Sequence, residues 1–266
     1  MSKDIERDFN VGGTVEQALS GQYQLKVGEV LKESWDTTLK HFVSFSPAIV
    51  VMVAIQIAIF FIALKLQLGD PSAIITAIEQ GSDFPEGMIE AIFIANFSYE
   101  VVSAPIFAGV SLMAMSHAAG LKTKTRHISK GLQFTIPVIL ATLVGLVLQG
   151  IAGMIFPLLS MYLSIAFSNS ILLICEKRVP PMQSLFLSLR AANKKLLPLA
   201  SLYLIVTIMF VTAALMYGIG LIFVVPFFFH LKGIVYRNMF GVRLKIITTN
   251  KDNDDNQDNN SQVFNA

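Results

Sequence analysis

The chain has 266 residues, of which 54% are hydrophobic and only 14% charged, with a mean hydropathy of +0.63. A soluble domain carries about 25% charged residues, so much of this protein's surface must face lipid. The net charge of +2 gives no basis for a nucleic-acid partner, and the single cysteine, Cys175, excludes an internal disulfide framework and any multi-cysteine metal site.

Residues 1–26 read as a polar cytoplasmic segment. Lys3, Asp4, Glu6, Arg7 and Asp8 have no apolar run behind them, so no cleavable signal peptide is expected and insertion begins with a retained helix. Residues 27–42 are amphipathic, with Val30, Leu31, Trp35, Leu39 and Phe42 on one face, and predict a helix lying in the cytoplasmic interface. The first charge-free window, residues 41–64, is long enough to cross about 30 Å of hydrocarbon. Ser46-Pro47 is expected to start that span, as N-cap and first helical residue.

The loop that follows is acidic (Asp70, Glu79, Asp83, Glu86, Glu90), with a short helix predicted over 71–80. Residues 101–121 form the second span, ending at Gly120. Residues 131–175 lack any formal charge, and a straight helix of that length would reach about 68 Å, twice the bilayer. The chain must turn there, at Phe156-Pro157, giving spans three and four. Residues 196–231 are likewise a hairpin, turning at Gly218-Ile219-Gly220. Short amphipathic segments at 126–133 and 181–195 precede these hairpins, as 27–42 precedes the first, so the pattern is an interfacial helix followed by a transmembrane hairpin, three times over. The prediction is an all-α polytopic membrane protein, six transmembrane helices in three hairpins over residues 27–241. A cytoplasmic, mostly disordered polar tail is expected over 242–266, Asn- and Asp-rich after Thr249.

Orientation follows from lysine and arginine. Of the 20, all but Lys65 fall on one side of a six-span alternation. A missed or invented span would scramble that split. Both termini are therefore expected in the cytoplasm.

No catalytic, metal or nucleotide motif is visible, and no cofactor is expected. The four histidines show no ligand pair at helical spacing. The functional candidates are intramembrane polar groups, each costly unless partnered. Gln56, Gln149 and Asn169 read either as hydrogen-bonding glue between helices, about 0.6 kcal/mol each, or as the lining of a polar path. Ser160, Ser164 and Ser168 recur every fourth residue opposite Gly145, Gly150 and Gly153 of span three, which suits close helix packing or a permeation groove. Glu100 is expected at the outer interface. Lys232 is expected to snorkel or to hold a lipid phosphate, and His230 to pack among Phe227, Phe228 and Phe229 or to titrate. Lys124, Arg126, Arg190, Lys194 and Lys195 border the interfacial segments and are candidates for anionic lipid headgroups, or serve only to set topology.

The second half carries CEKRVPPMQSLFLSLRAANKKLLP and GIGLIFVVPFFFHLKGIVYRNMFG, and the first half APIFAGVSLMAMSHAAG ahead of a basic loop. These motifs resemble YciC-like bacterial inner-membrane proteins and the membrane domain ahead of some glycerophosphodiester phosphodiesterases, over roughly residues 27–241. The resemblance implies a multi-pass fold in a bacterial inner membrane and lends no catalytic residue. A non-enzymatic protein binding lipid or another membrane protein in envelope homeostasis is the expectation, with a small-solute transporter or channel as the alternative.

Overall fold

The structure is a computed structural model and describes residues 5–70, 72, 79 and 87–248. The short helix expected over 71–80 and the polar tail after Thr249 fall largely outside them. Among the described residues six helical stretches are long and apolar enough to cross a membrane. The chain is an all-α, multi-pass integral membrane protein.

Strand β1 (Ile5–Val11) opens the chain, followed by the short helix α1 (Val15–Ser20). Helix α2 (Val27–Leu68) is continuous for 42 residues, about 63 Å, and so reaches well beyond a bilayer. Two expectations fail here. Pro47 sits inside α2 and does not start it. Proline has no N–H for the Val43 carbonyl four residues back, and the helix continues past it; beside it Ser46 Oγ donates to the Phe42 carbonyl at 2.6 Å and Ser44 Oγ to that of His41 at 3.1 Å. Nor do residues 27–42 lie as a separate interfacial helix. They run straight into the span, and the buried face is Val30, Ser34, Thr38, His41 and Phe45, whereas Trp35 and Leu39 are 42% and 52% exposed. Thr38 meets His230 there, with Oγ1 3.0 Å from Nδ1, and His41 stacks on His117, while Ser34 and Thr38 also donate to carbonyls of their own helix.

Helix α3 (Met88–Ala118) returns. A turn at Gly120, φ +84°, leads to a 3-10 helix (Thr125–Phe134) and α4 (Thr135–Ile155). Phe156 is extended and Pro157 opens α5 (Pro157–Phe167), so the third and fourth spans do turn where their length demands. The fourth span is broken after Phe167 and resumes as α6 (Ser170–Lys177). Ser168 therefore does not continue a single straight helix with Ser160 and Ser164. Helix α7 (Pro181–Lys194) precedes α8 (Leu196–Leu215), and a tight turn through Tyr217 and Gly218, both at positive φ, leads into α9 (Leu221–Phe240).

Most of α3 and α9 is buried, and they form the centre of the bundle. Other helices surround them, and exposed apolar side chains such as Val50, Phe61, Val147, Ile151, Ile208 and Val211 give a lipid-facing flank.

The feature least expected from sequence is a two-stranded sheet. β2 (Val242–Thr248) pairs antiparallel with β1, from Ile5↔Thr248 to Val11↔Val242. It joins the two ends of the chain at one end of the bundle, called here the terminal end. Gly12 and Gly13 let β1 turn across the end of α9. Gly13 N–H donates to the Arg237 carbonyl at 3.0 Å, and a Cβ on Gly12 would collide with that carbonyl.

Candidate functional site

A cavity of about 300 Å³ lies within the bundle between α3, α4, the α5–α6 break, α8 and α9. Lys232 of α9 lines it and is only 5% exposed. Its ammonium sits over the Phe107 ring, 4.4 Å from the centroid. Among the described residues no carboxylate pairs with it. The sequence expectation that Lys232 snorkels out is wrong, because its side chain is enclosed by α3 and the cavity wall. An ammonium held inside a membrane bundle without a counter-ion is expensive, and such a group marks function by default.

The same cavity gathers unsatisfied hydroxyls. Thr142 Oγ1, Ser168 Oγ and Tyr203 OH are buried without a hydrogen-bond partner in the protein, three of five such atoms among the described residues, and all three residues line this space. Tyr203 OH faces Ser168 Oγ outside hydrogen-bond geometry. Leaving a buried hydroxyl unsatisfied costs about 1–3 kcal/mol, so their concentration on one wall is not what packing alone selects. The break after Phe167 puts Ser168 there.

Two further sequence candidates reach the cavity. Gln149 lines it while its amide donates to the Gly145 carbonyl of its own helix at 3.0 Å. Glu100 lines it too, partly buried, accepting a hydrogen bond from Asn96 Nδ2 at 3.2 Å. No cation pairs with Glu100 among the described residues.

The structure separates the others. Gln56 donates to Ser103 Oγ across α2 and α3 at 3.3 Å, the expected glue. Asn169 is fully buried away from the cavity, its N–H on Ser188 Oγ at 3.3 Å and its side-chain amide on Met239 Sδ at 3.5 Å. The expected small-residue contact of spans three and four holds at Gly153, whose Cβ position lies 3.5 Å from Ser160 Cβ. Cys175 is fully buried.

His230 does not simply pack among phenylalanines. His230 Nδ1 lies 3.0 Å from Thr38 Oγ1, its Nε2 lies 2.9 Å from His117 Nδ1, and His117 Nε2 lies 2.8 Å from Thr123 Oγ1. Thr38 donates to the Ser34 carbonyl at 2.7 Å. One direction satisfies every atom: Thr123 donates to His117, His117 to His230, His230 to Thr38. The tautomers follow from that network. His41 stacks on His117 with centroids 4.0 Å apart. Three of the four histidines, scattered in sequence, thus form one buried polar seam joining α2, α3 and α9. Among the described residues no group of three or more His, Cys, Asp or Glu is placed to hold a metal.

At the terminal end a second cleft, about 370 Å³, is lined by Gly12, Gln22, Lys26, Glu33 and Arg237 among others. Its charges are already matched. Arg237 forks onto Glu33 at 2.6 and 2.8 Å and also donates to the Ala118 carbonyl, and Lys26 pairs with Glu29 at 2.9 Å. The intrabundle cavity is therefore the better candidate. The basic residues named from sequence border the same terminal end. Lys124, Arg126, Arg190 and Lys194 are exposed, while Lys195 leans over the Tyr23 ring at 5.4 Å.

Comparison with known proteins finds no matching family model, no matching curated protein and no matching solved structure.

Proposed function

We propose that this is a non-enzymatic lipid-binding protein of a bacterial inner membrane, YciC-like, acting in envelope or lipid homeostasis with its termini and basic end in the cytoplasm. The observation that carries the reading is the cavity with the buried, unpaired Lys232 at membrane depth. Ser164 on its rim is exposed on the flank of α5, among lipid-facing neighbours such as Leu158 and Met161, which suits a ligand entering from the bilayer. The four exposed cations of the basic end add attraction to anionic headgroups of about 1 kcal/mol each. A membrane-protein partner at that end is compatible with the same charges.

Solute transport is the second reading, and Gln149 on the cavity wall favours it. The break between α5 and α6 on the cavity wall also suits it, since transporters use discontinuous helices there. Against it, the cavity reaches neither Gln56 nor Asn169, and α3 and α9 run unbroken through Pro105 and Pro226.

The test is lipid retention by the purified protein, read by native mass spectrometry, alongside aqueous thiol labelling of single cysteines at positions 56, 149 and 169 in a Cys175→Ser background. Retained lipid with positions 56 and 169 protected supports the proposal. No retained lipid and labelling at all three would replace it with a wet pathway.

A further inference from the structure

The polar groups of the cavity fall into two layers. Counted from the helix ends remote from the termini, Thr142 lies 13 residues from Ile155, Ser168 lies 11 from Pro157, Tyr203 lies 12 from Leu215 and Lys232 lies 11 from Leu221. At 1.5 Å per residue all four sit about 17–20 Å deep. Gln149 is 6 residues from Ile155 and Ser164 is 7 from Pro157, about 9–11 Å deep. Glu100 is placed by its own helix: it precedes Phe107, the ring under the Lys232 ammonium, by two helical turns of α3, about 10 Å further from the terminal end along the same face. A cation with three free hydroxyls thus faces a carboxylate with an amide and a hydroxyl, one charge at each end of one cavity, and neither is in an ion pair among the described residues.

We propose that this cavity binds a zwitterionic group, its anionic phosphoryl or carboxylate oxygens on Lys232, Thr142, Ser168 and Tyr203 and its ammonium on Glu100. An ammonium and a phosphate joined by two carbons fill that separation, which makes an aminophospholipid headgroup the fitting occupant; this choice rests on the lipid reading above. A free amino acid or phosphoethanolamine carries the same pair of charges. The two poles satisfy each other's cost. The ligand supplies Lys232 with its counter-ion and the hydroxyls with an acceptor, and Glu100 with a donor. A purely anionic lipid meets only the deep layer and leaves the carboxylate unpaired, so the site discriminates by the unpaired charge that the wrong ligand leaves behind.

The experiment measures binding of phosphatidylethanolamine and phosphatidylglycerol to the full-length, delipidated protein in detergent by native mass spectrometry. The wild type is expected to prefer phosphatidylethanolamine about tenfold, the value of one charge-assisted hydrogen bond. Glu100→Gln should abolish that preference while keeping phosphate-dependent binding, and Lys232→Gln should weaken both lipids. Because Lys232→Gln can disturb folding, Thr142→Val, which removes one hydroxyl from the deep layer, provides the same reading. Displacement of bound lipid by water-soluble phosphoethanolamine assigns the zwitterion to a solute; resistance assigns it to a lipid. Equal binding of the two lipids by the wild type, or a preference untouched by Glu100→Gln, overturns the inference. Lipid binding indifferent to both poles leaves the lipid reading standing and this inference refuted. Phosphoethanolamine binding that depends on Glu100 and Lys232, with no lipid bound, does the reverse.

Discussion

Replacing His230 by phenylalanine tests whether the histidine seam holds α2, α3 and α9 together. The ring packing against Phe45, 4.6 Å between centroids, is retained by the substitution. The hydrogen bonds are not. Thr38 still donates to the Ser34 carbonyl and loses only the donor that used it as acceptor. His117, 3% exposed, keeps a Nδ1–H that now points at carbon. An orphaned buried donor costs about 1–3 kcal/mol, and for a chain of this size each kcal/mol lowers Tm by roughly 2–4 °C. His117→Phe alone should cost a similar amount, because it strands His230 Nε2. In the double variant both the donor and the acceptor are gone, and Thr123 at the seam's outer end is only partly buried. The double variant should therefore be more stable than the sum of the singles predicts, by about 1–3 kcal/mol. Thermal unfolding in detergent can be followed on the fluorescence of the single tryptophan, Trp35, whose ring lies 6.1 Å from Phe227 of α9. Additivity of the two single variants within about 0.5 kcal/mol would show that the directional chain derived from these distances does not exist.

Two further outcomes are expected. Gly131 of the 3-10 helix crosses α3 so closely that a Cβ would meet the Pro105 carbonyl and lie 2.8 Å from Gly109 Cα. Because the obstacle is backbone on both sides, Gly131→Ala should exceed the usual overpacking cost of about 1–3 kcal/mol and reduce the folded fraction on size exclusion, while Gly150→Ala, with nothing within 4 Å, should not. Tyr23 lies outside the spans, and burial raises its phenol to about 12 while its OH donates to the Ala191 carbonyl at 2.8 Å. The fold favours the neutral phenol, so this stabilisation is complete below the unfolded value near 10 and is lost as pH rises from there towards 12. Tm of the wild type should fall more steeply over that window than Tm of Tyr23→Phe, and parallel curves would contradict the assignment.

Span number, the hairpin turns at Phe156-Pro157 and at Gly218-Ile219-Gly220, and the amphipathic helix after Pro181 were all legible. Each rests on a local rule: the length of a charge-free window, the stop at proline or glycine, the 3.6-residue period. The strands were also legible in principle. Val242, Leu244 and Ile246 alternate with Arg243 and Lys245 until Ile247, and Ile5, Phe9 and Val11 alternate with Glu6, Asp8 and Asn10, with Arg7 the exception, a period-2 signal of a half-buried strand. Their charges made both segments read as soluble tail, and nothing local to either said that its partner lay at the other end of the chain.

The buried face of the first helix was misread for a related reason. Ranking faces by hydrophobicity puts Trp35 and Leu39 inside, yet Thr38 and His41 are inside, where His230 and His117 arrive from two other helices, and Ser34 beside them bonds back to the Val30 carbonyl. A polar residue's preference for the interior depends on a partner that the sequence does not place.

That this chain lives in a membrane, how often it crosses and where it turns can be read from the order of its residues, because those properties follow from the cost of moving charge and unbonded backbone into hydrocarbon, one segment at a time. That Gln149, Glu100 and Lys232 share one cavity while Gln56 and Asn169 do not, that Lys232 stays inside, and that three distant histidines meet is visible only in the packed bundle. Those outcomes depend on the rotation of each helix about its own axis, which is set by packing against neighbours and not by any segment alone.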